Sequence, residues 1–126
     1  MPNFLSLEEV LLIHSNQVDL YGGEPNVRDL NLLESAIDQP QATFGGNLLH
    51  GDLFEMAAAY LFHIVQNHPF VDGNKRTGAV AALAFLALNG TEIDAPKGSL
   101  YNLTLSVATG QLGKRETAEF FRKYAH

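Results

Sequence analysis

The chain has no cysteine and no tryptophan, and its first 74 residues carry a single Lys or Arg, Arg28, against ten acids. Without thiols there is neither a disulfide framework nor a thiolate metal site, which fits a reducing compartment. The opening stretch MPNFLSLEEV has no basic n-region and no cleavage-type apolar run, so export is not expected and a cytoplasmic location is. A net charge of −6 argues against general nucleic-acid binding. The apolar run TGAVAALAFLAL, residues 77–88, is too short for a bilayer, which takes roughly 20 residues, so no membrane partner is expected. No repeat, low-complexity segment or long linker breaks the 126 residues, and one compact domain over 1–126 is expected.

What is present reads as helices. Ser6-Leu7-Glu8-Glu9 has the capping-box pattern and predicts a helix from about Leu7 to Tyr21, stopped by Gly22-Gly23. Asp29 or Asn31 is placed to cap a short helix through LLESAI that ends before Pro40. The segment PQATFGGNLLHG keeps no helical period and reads as an irregular or hairpin-like excursion. Asp52 then caps a helix from Leu53 to about Asn67, whose MAAAYLFHIV is apolar nearly all round and therefore expected to be buried. Thr77 to Leu88 is a second such helix, and TEIDAP is a short extended piece before helices at about Ser99–Thr109 and Lys114–Tyr124. The fold class is all-α, a compact bundle around two buried central helices with a short hairpin or flap.

The connection between those two helices, HPFVDGNKRTG at 68–78, concentrates polar chemistry. Pro69 disfavours the α region for His68, so the helix ends there and the imidazole sits at a forced turn. Phe70 points back to the core and, with Pro69, anchors the loop; its burial contributes roughly 1.5–3 kcal/mol. Gly73 permits close backbone approach, and Asn74 is a favoured N-cap for the next helix. The N–H groups of Lys75, Arg76 and Thr77 are then expected to be free, and with two cationic side chains they form a place for phosphate. Asp72 beside a phosphate points to Mg²⁺, which takes one or two carboxylates plus phosphate oxygens. His68 is suited to take a proton from an attacking hydroxyl near neutral pH. A histidine before proline, or an Asn-Lys-Arg at a helix start, is each more often a plain structural feature; their combination is what reads as a phosphate-transfer site. A P-loop is excluded by the missing upstream glycines. Zinc is disfavoured because a helix end separates His63 from His68 and no cysteine is near. His63 is read as a core or near-core residue, and His14, His50 and His126 as surface or structural.

This stretch resembles the signature loop of the Fic/Doc family, His-x-Phe-x-Asp/Glu-Gly-Asn-Gly/Lys-Arg, at His68, Phe70, Asp72, Gly73, Asn74, Lys75 and Arg76. LYGGEPNVRDLNLLESAI, PQATFGG and FLALNG extend the likeness along most of the chain, and it is similar to the death-on-curing branch, small toxins of toxin–antitoxin pairs. The resemblance implies an all-helical fold and transfer of a phosphate-containing group from a nucleotide to a protein hydroxyl. It implies His68 as base, Asp72 as Mg²⁺ ligand, and Gly73, Asn74, Lys75, Arg76 and Thr77 around the ATP phosphates, with Lys75 and Arg76 in the catalytic set. Residues 44–50 would be the flap that aligns the protein substrate. Position 75 is Lys where AMP-transferring members carry Gly, and position 79 is Ala where many have a second Arg. That pattern points to a reversed nucleotide, and the resemblance to the death-on-curing branch implies transfer of the terminal phosphate by a Ser/Thr kinase-like reaction, with elongation factor Tu as target. AMP transfer by the same residues, or a catalytically silent antitoxin-binding module, are the alternatives. No Ser or Thr has Glu four residues later, so the self-inhibitory motif of some relatives is missing. Inhibition is expected from a separate antitoxin of the Phd type, binding through a helix.

Overall fold

The computed structural model describes residues 1–126 and contains six α-helices, one 3₁₀ turn and one tiny hairpin. Helix α1 spans Leu7–Tyr21, α2 Leu30–Asp38, α3 Leu53–Asn67, α4 Asn74–Leu88, α5 Ser99–Ala108 and α6 Lys114–Tyr124. The 3₁₀ turn is Gln39–Gln41, and β1 (Thr43–Phe44) pairs antiparallel with β2 (Asn47–Leu48). The fold is all-α with a short hairpin, as the periodicities predict.

Caps explain most of the boundaries. Ser6 and Glu9 close a reciprocal capping box on α1, Asp29 accepts from Leu32 N–H to start α2, and Asp52 accepts from Glu55 N–H to start α3. The expected N-cap of α4 is displaced: Gly73, with φ 84°, is the cap, and Asn74 is already helical. Asn74 cannot cap forwards because its amide is bound backwards to Phe70.

Helix α3 lies at the centre, packed along α4 and α6 and touched by α2 and α5, while α1 lies on α4. It buries Met56 through Leu61, Ile64 and Val65. Helix α4 is less enclosed than its composition predicts. It buries Thr77, Gly78, Ala81, Ala82, Phe85 and Leu86, and its other face of small residues, including Ala79 and Val80, reaches a surface cleft. The all-round apolar pattern there reflects alanine rather than a second buried side.

Polar ties hold the ends of the chain on this core. Tyr60, fully buried on α3, accepts from Leu5 N–H at 2.8 Å, and burial pushes its hydroxyl up to about 12. Asn3 and Asn89 exchange two hydrogen bonds, and an isolated bridge pairs Ile93 with Ala125. No helix is long and apolar enough to cross a membrane.

Candidate active site

Helix α3 ends at His68, and the chain reaches α4 by Gly73, so residues 68–73 are a short link between two helices. Pro69 disfavours continuation of the right-handed helix through His68. The backbone turns left-handed instead, with His68 at φ 51° and ψ 53°, the only non-glycine residue with positive φ. Such a conformation costs on the order of 1–3 kcal/mol and persists only when neighbours over-determine it.

The neighbours are specific. Phe70 is fully buried and its ring stacks on His14 of α1, centroids 3.7 Å apart and planes within 6°. His14 Nε2 donates to the carbonyl of Asp72 at 2.8 Å, and a Cβ on Gly73 would lie 3.4 Å from that imidazole. From the loop before α2, Arg28 donates Nε to the His68 carbonyl and Nη2 to that of Asn67. The N–H groups of Arg28 and Asp29 both meet the Pro69 carbonyl, Val71 N–H meets Asn26, and Glu24 N–H meets Asp72 Oδ2 at 2.8 Å. Phe70 thus stands where expected; His14 and Arg28 are contributors that motif reading does not single out.

The imidazole of His68 faces the start of α4. Asn74 accepts from Phe70 N–H through Oδ1 and donates to Phe70 C=O through Nδ2, both at 2.9 Å, which fixes the orientation of its amide. The same Nδ2 lies 3.1 Å from His68 Nδ1. Because that amide nitrogen only donates, Nδ1 accepts, and the neutral ring carries its proton on Nε2.

Four N–H groups at this helix start, those of Gly73, Asn74, Lys75 and Arg76, have no acceptor within the chain. Thr77 differs from expectation. Its N–H donates to Gly73 C=O at 2.9 Å, and its hydroxyl is buried without a partner, so the structure does not bring it to the exposed rim. Lys75 and Arg76 are exposed; neither is ion-paired, and the guanidinium of Arg76 lies 4.4 Å from the Tyr21 ring centroid. An uncompensated positive end of a helix in an acidic chain favours an anion. It opens on a cleft of about 430 Å³, lined by Tyr21 and Tyr101 among others.

Asp72 is exposed, and only one of its carboxylate oxygens is used inside the chain. The other is available to a hard cation. No group of three or more acidic or histidine side chains converges anywhere, so Mg²⁺ at Asp72 would draw its remaining ligands from phosphate oxygens and water. The residues present fit the ion on those terms. The hairpin of residues 43–48 carries an exposed Phe44.

Comparison with known proteins agrees with this geometry. Residues 4–86 match the Fic/DOC family. The chain is 36% identical over 120 residues to "Protein kinase doc" of Escherichia phage P1, covering 94% of this chain and 93% of that one. It is 43% identical over 95 residues to "Toxin Doc" of Mycolicibacterium smegmatis, covering 75% of this chain and 71% of that one. With the signature loop assembled at the start of α4 and a match across most of its length, the chain belongs to the Fic/DOC family.

Proposed function

We propose that the protein is a toxin of a toxin–antitoxin pair that moves the terminal phosphate of ATP onto a hydroxyl of a protein target and thereby blocks translation. The observation that carries this reading is the four unpaired N–H groups of Gly73 to Arg76 beside an imidazole that faces the same helix start. The names of the two relatives, one a kinase and both Doc proteins, support it.

In this reading the phosphate rests on those N–H groups, with Lys75 and Arg76 offsetting its charge; phosphoryl transfer asks a protein for little beyond positioning and neutralisation. Mg²⁺, when bound at Asp72, supplies further neutralisation of the phosphate oxygens. The target oxygen forms its bond to phosphorus as the bridging oxygen of the nucleotide leaves, and the hydroxyl proton passes to His68. While Asn74 donates to Nδ1, the ring proton sits on Nε2. His68 therefore becomes a base at Nε2 only when that contact opens and the proton moves to Nδ1. Lys75, standing where AMP-transferring relatives carry glycine, favours the terminal phosphate over the nucleotide as the transferred group. Elongation factor Tu is the target that the family likeness implies. A Phd-type antitoxin that folds as a helix on this protein is the partner it implies.

The test is a translation extract incubated with the protein and Mg-ATP labelled at either the alpha or the gamma phosphate, followed by mass spectrometry of the modified protein. Gamma label and the mass of one phosphate are expected, and both should vanish in His68→Ala at unchanged melting temperature. Alpha label would replace this reading with AMP transfer. Persistent growth inhibition by His68→Ala would point to a binding module.

A further inference from the structure

We propose that Arg28 is a positioning residue for His68: its guanidinium grips the end of α3 and selects the left-handed backbone that turns the imidazole towards α4. This rests on reading residues 68–76 as the active loop. Four observations carry it. Arg28 is the only Lys or Arg among the first 74 residues, so its placement is not one of many surface charges. Its side chain is forked over two consecutive carbonyls, Nε to His68 at 2.7 Å and Nη2 to Asn67 at 3.0 Å. The last turn of α3 has no basic residue of its own, so the cation that a helix C-terminus favours arrives from another segment. Finally, the backbone on either side of Arg28 is itself tied to the loop, through Arg28 and Asp29 N–H to Pro69 and Asn26 C=O to Val71.

The geometry explains why a guanidinium is used. The two carbonyls belong to residues of different backbone hand, Asn67 in the helix and His68 left-handed. One planar donor with separate N–H groups spans both, which an ammonium does less well. Were the grip lost, His68 would sample extended backbone, the region that Pro69 otherwise favours for it. Its imidazole would then swing away from the row of free N–H groups at the start of α4, where it must stay for either state of its contact with Asn74. Arg28 spends Nε and Nη2 on backbone carbonyls, so its removal should slow the chemical step and leave nucleotide binding intact.

The experiment compares wild type, Arg28→Ala and Arg28→Lys. Ring carbon–proton NMR signals of histidine, with His68 assigned from His68→Ala, are read without any substrate. Gamma-phosphate transfer from Mg-ATP is read beside them. Arg28→Ala is expected to broaden or split the His68 signal while circular dichroism is unchanged. It should lower kcat by roughly tenfold to a hundredfold with little change in KM for ATP, the size expected when a reacting group is misplaced. Arg28→Lys should recover part of that loss, and millimolar guanidinium should rescue Arg28→Ala. An Arg28→Ala protein with wild-type His68 signal and wild-type turnover overturns the proposal. Should Arg28→Ala fail to fold, Arg28→Lys decides on the same two readouts, an unchanged His68 signal and kcat again overturning it. If wild type transfers no phosphate, the functional reading falls and the clamp is judged on the His68 signal alone.

Discussion

At the scale of single residues, the signature loop divides its work between side chains that face the solvent and side chains that hold the backbone. Asn74 belongs to the second group: it is 5% exposed and its amide is bound to Phe70 and His68. Thr77 is also inside, where its buried hydroxyl finds no acceptor. Replacing it by the isosteric Val removes an unsatisfied polar group, and an unsatisfied group costs about 1–3 kcal/mol. Thr77→Val is therefore expected to raise the urea midpoint and leave phosphate transfer intact; a loss of transfer at unchanged stability would return Thr77 to the phosphate site. His68, Phe70, Gly73, Lys75 and Arg76 are legible in the sequence because they are contiguous. His14 and Arg28 are not, since their partners lie 58 and 40 positions away. Faint signals exist for both: His14 stands one helical turn after buried Val10, and Arg28 is a lone cation in an acidic stretch.

At the scale of elements, the site depends on how closely α3 and α4 approach. A Cβ at Gly78 would lie 3.0 Å from Val65 Cγ2 and 3.2 Å from the Leu61 carbonyl oxygen. Neither a β-branched side chain nor a helix backbone yields easily. Gly78→Ala gains about 1 kcal/mol in helix propensity, but forced packing costs about 1–3 kcal/mol. A lower urea midpoint with an unchanged m-value is expected, and a higher midpoint would mean the seam is looser than described. The helices themselves were legible because caps and periods agree at Ser6, Asp29 and Asp52. The start of α4 was not. A residue with the chemistry of a forward cap, Asn74, is committed to a backward contact that only the folded loop creates.

At the scale of the whole molecule, a second cluster of ionisable groups lies away from the loop. Lys114 Nζ, at the start of α6, is 3.1 Å from His63 Nε2 on α3 and 3.5 Å from His50 Nε2 before it. Burial, then Lys114, then His50 bring His63 down to about 4 from its ordinary 6.5. Burial and Lys114 likewise lower His50, against an opposing pull from Glu55, and burial lowers Lys114 itself. Both imidazoles therefore take protons less readily in the fold than in the unfolded chain. The unfolded chain binds the extra protons between about pH 6.5 and pH 4, so stability is full above that window and is lost as pH falls through it. Thermal melts across this range should show a falling Tm, with a shallower slope in His63→Gln, whose amide oxygen accepts from Lys114 without titrating. A flat wild-type profile would show that the cluster is more open to water than its packing indicates.

The brevity of the link from His68 to Gly73 has a mechanical consequence. With a core helix fused to each end and the 24–29 strap tied to its backbone, the segment has few ways to move apart from those helices. Its backbone is carried by the two central rods, so a shift of one rod against the other is felt at His68 and at Gly73 alike.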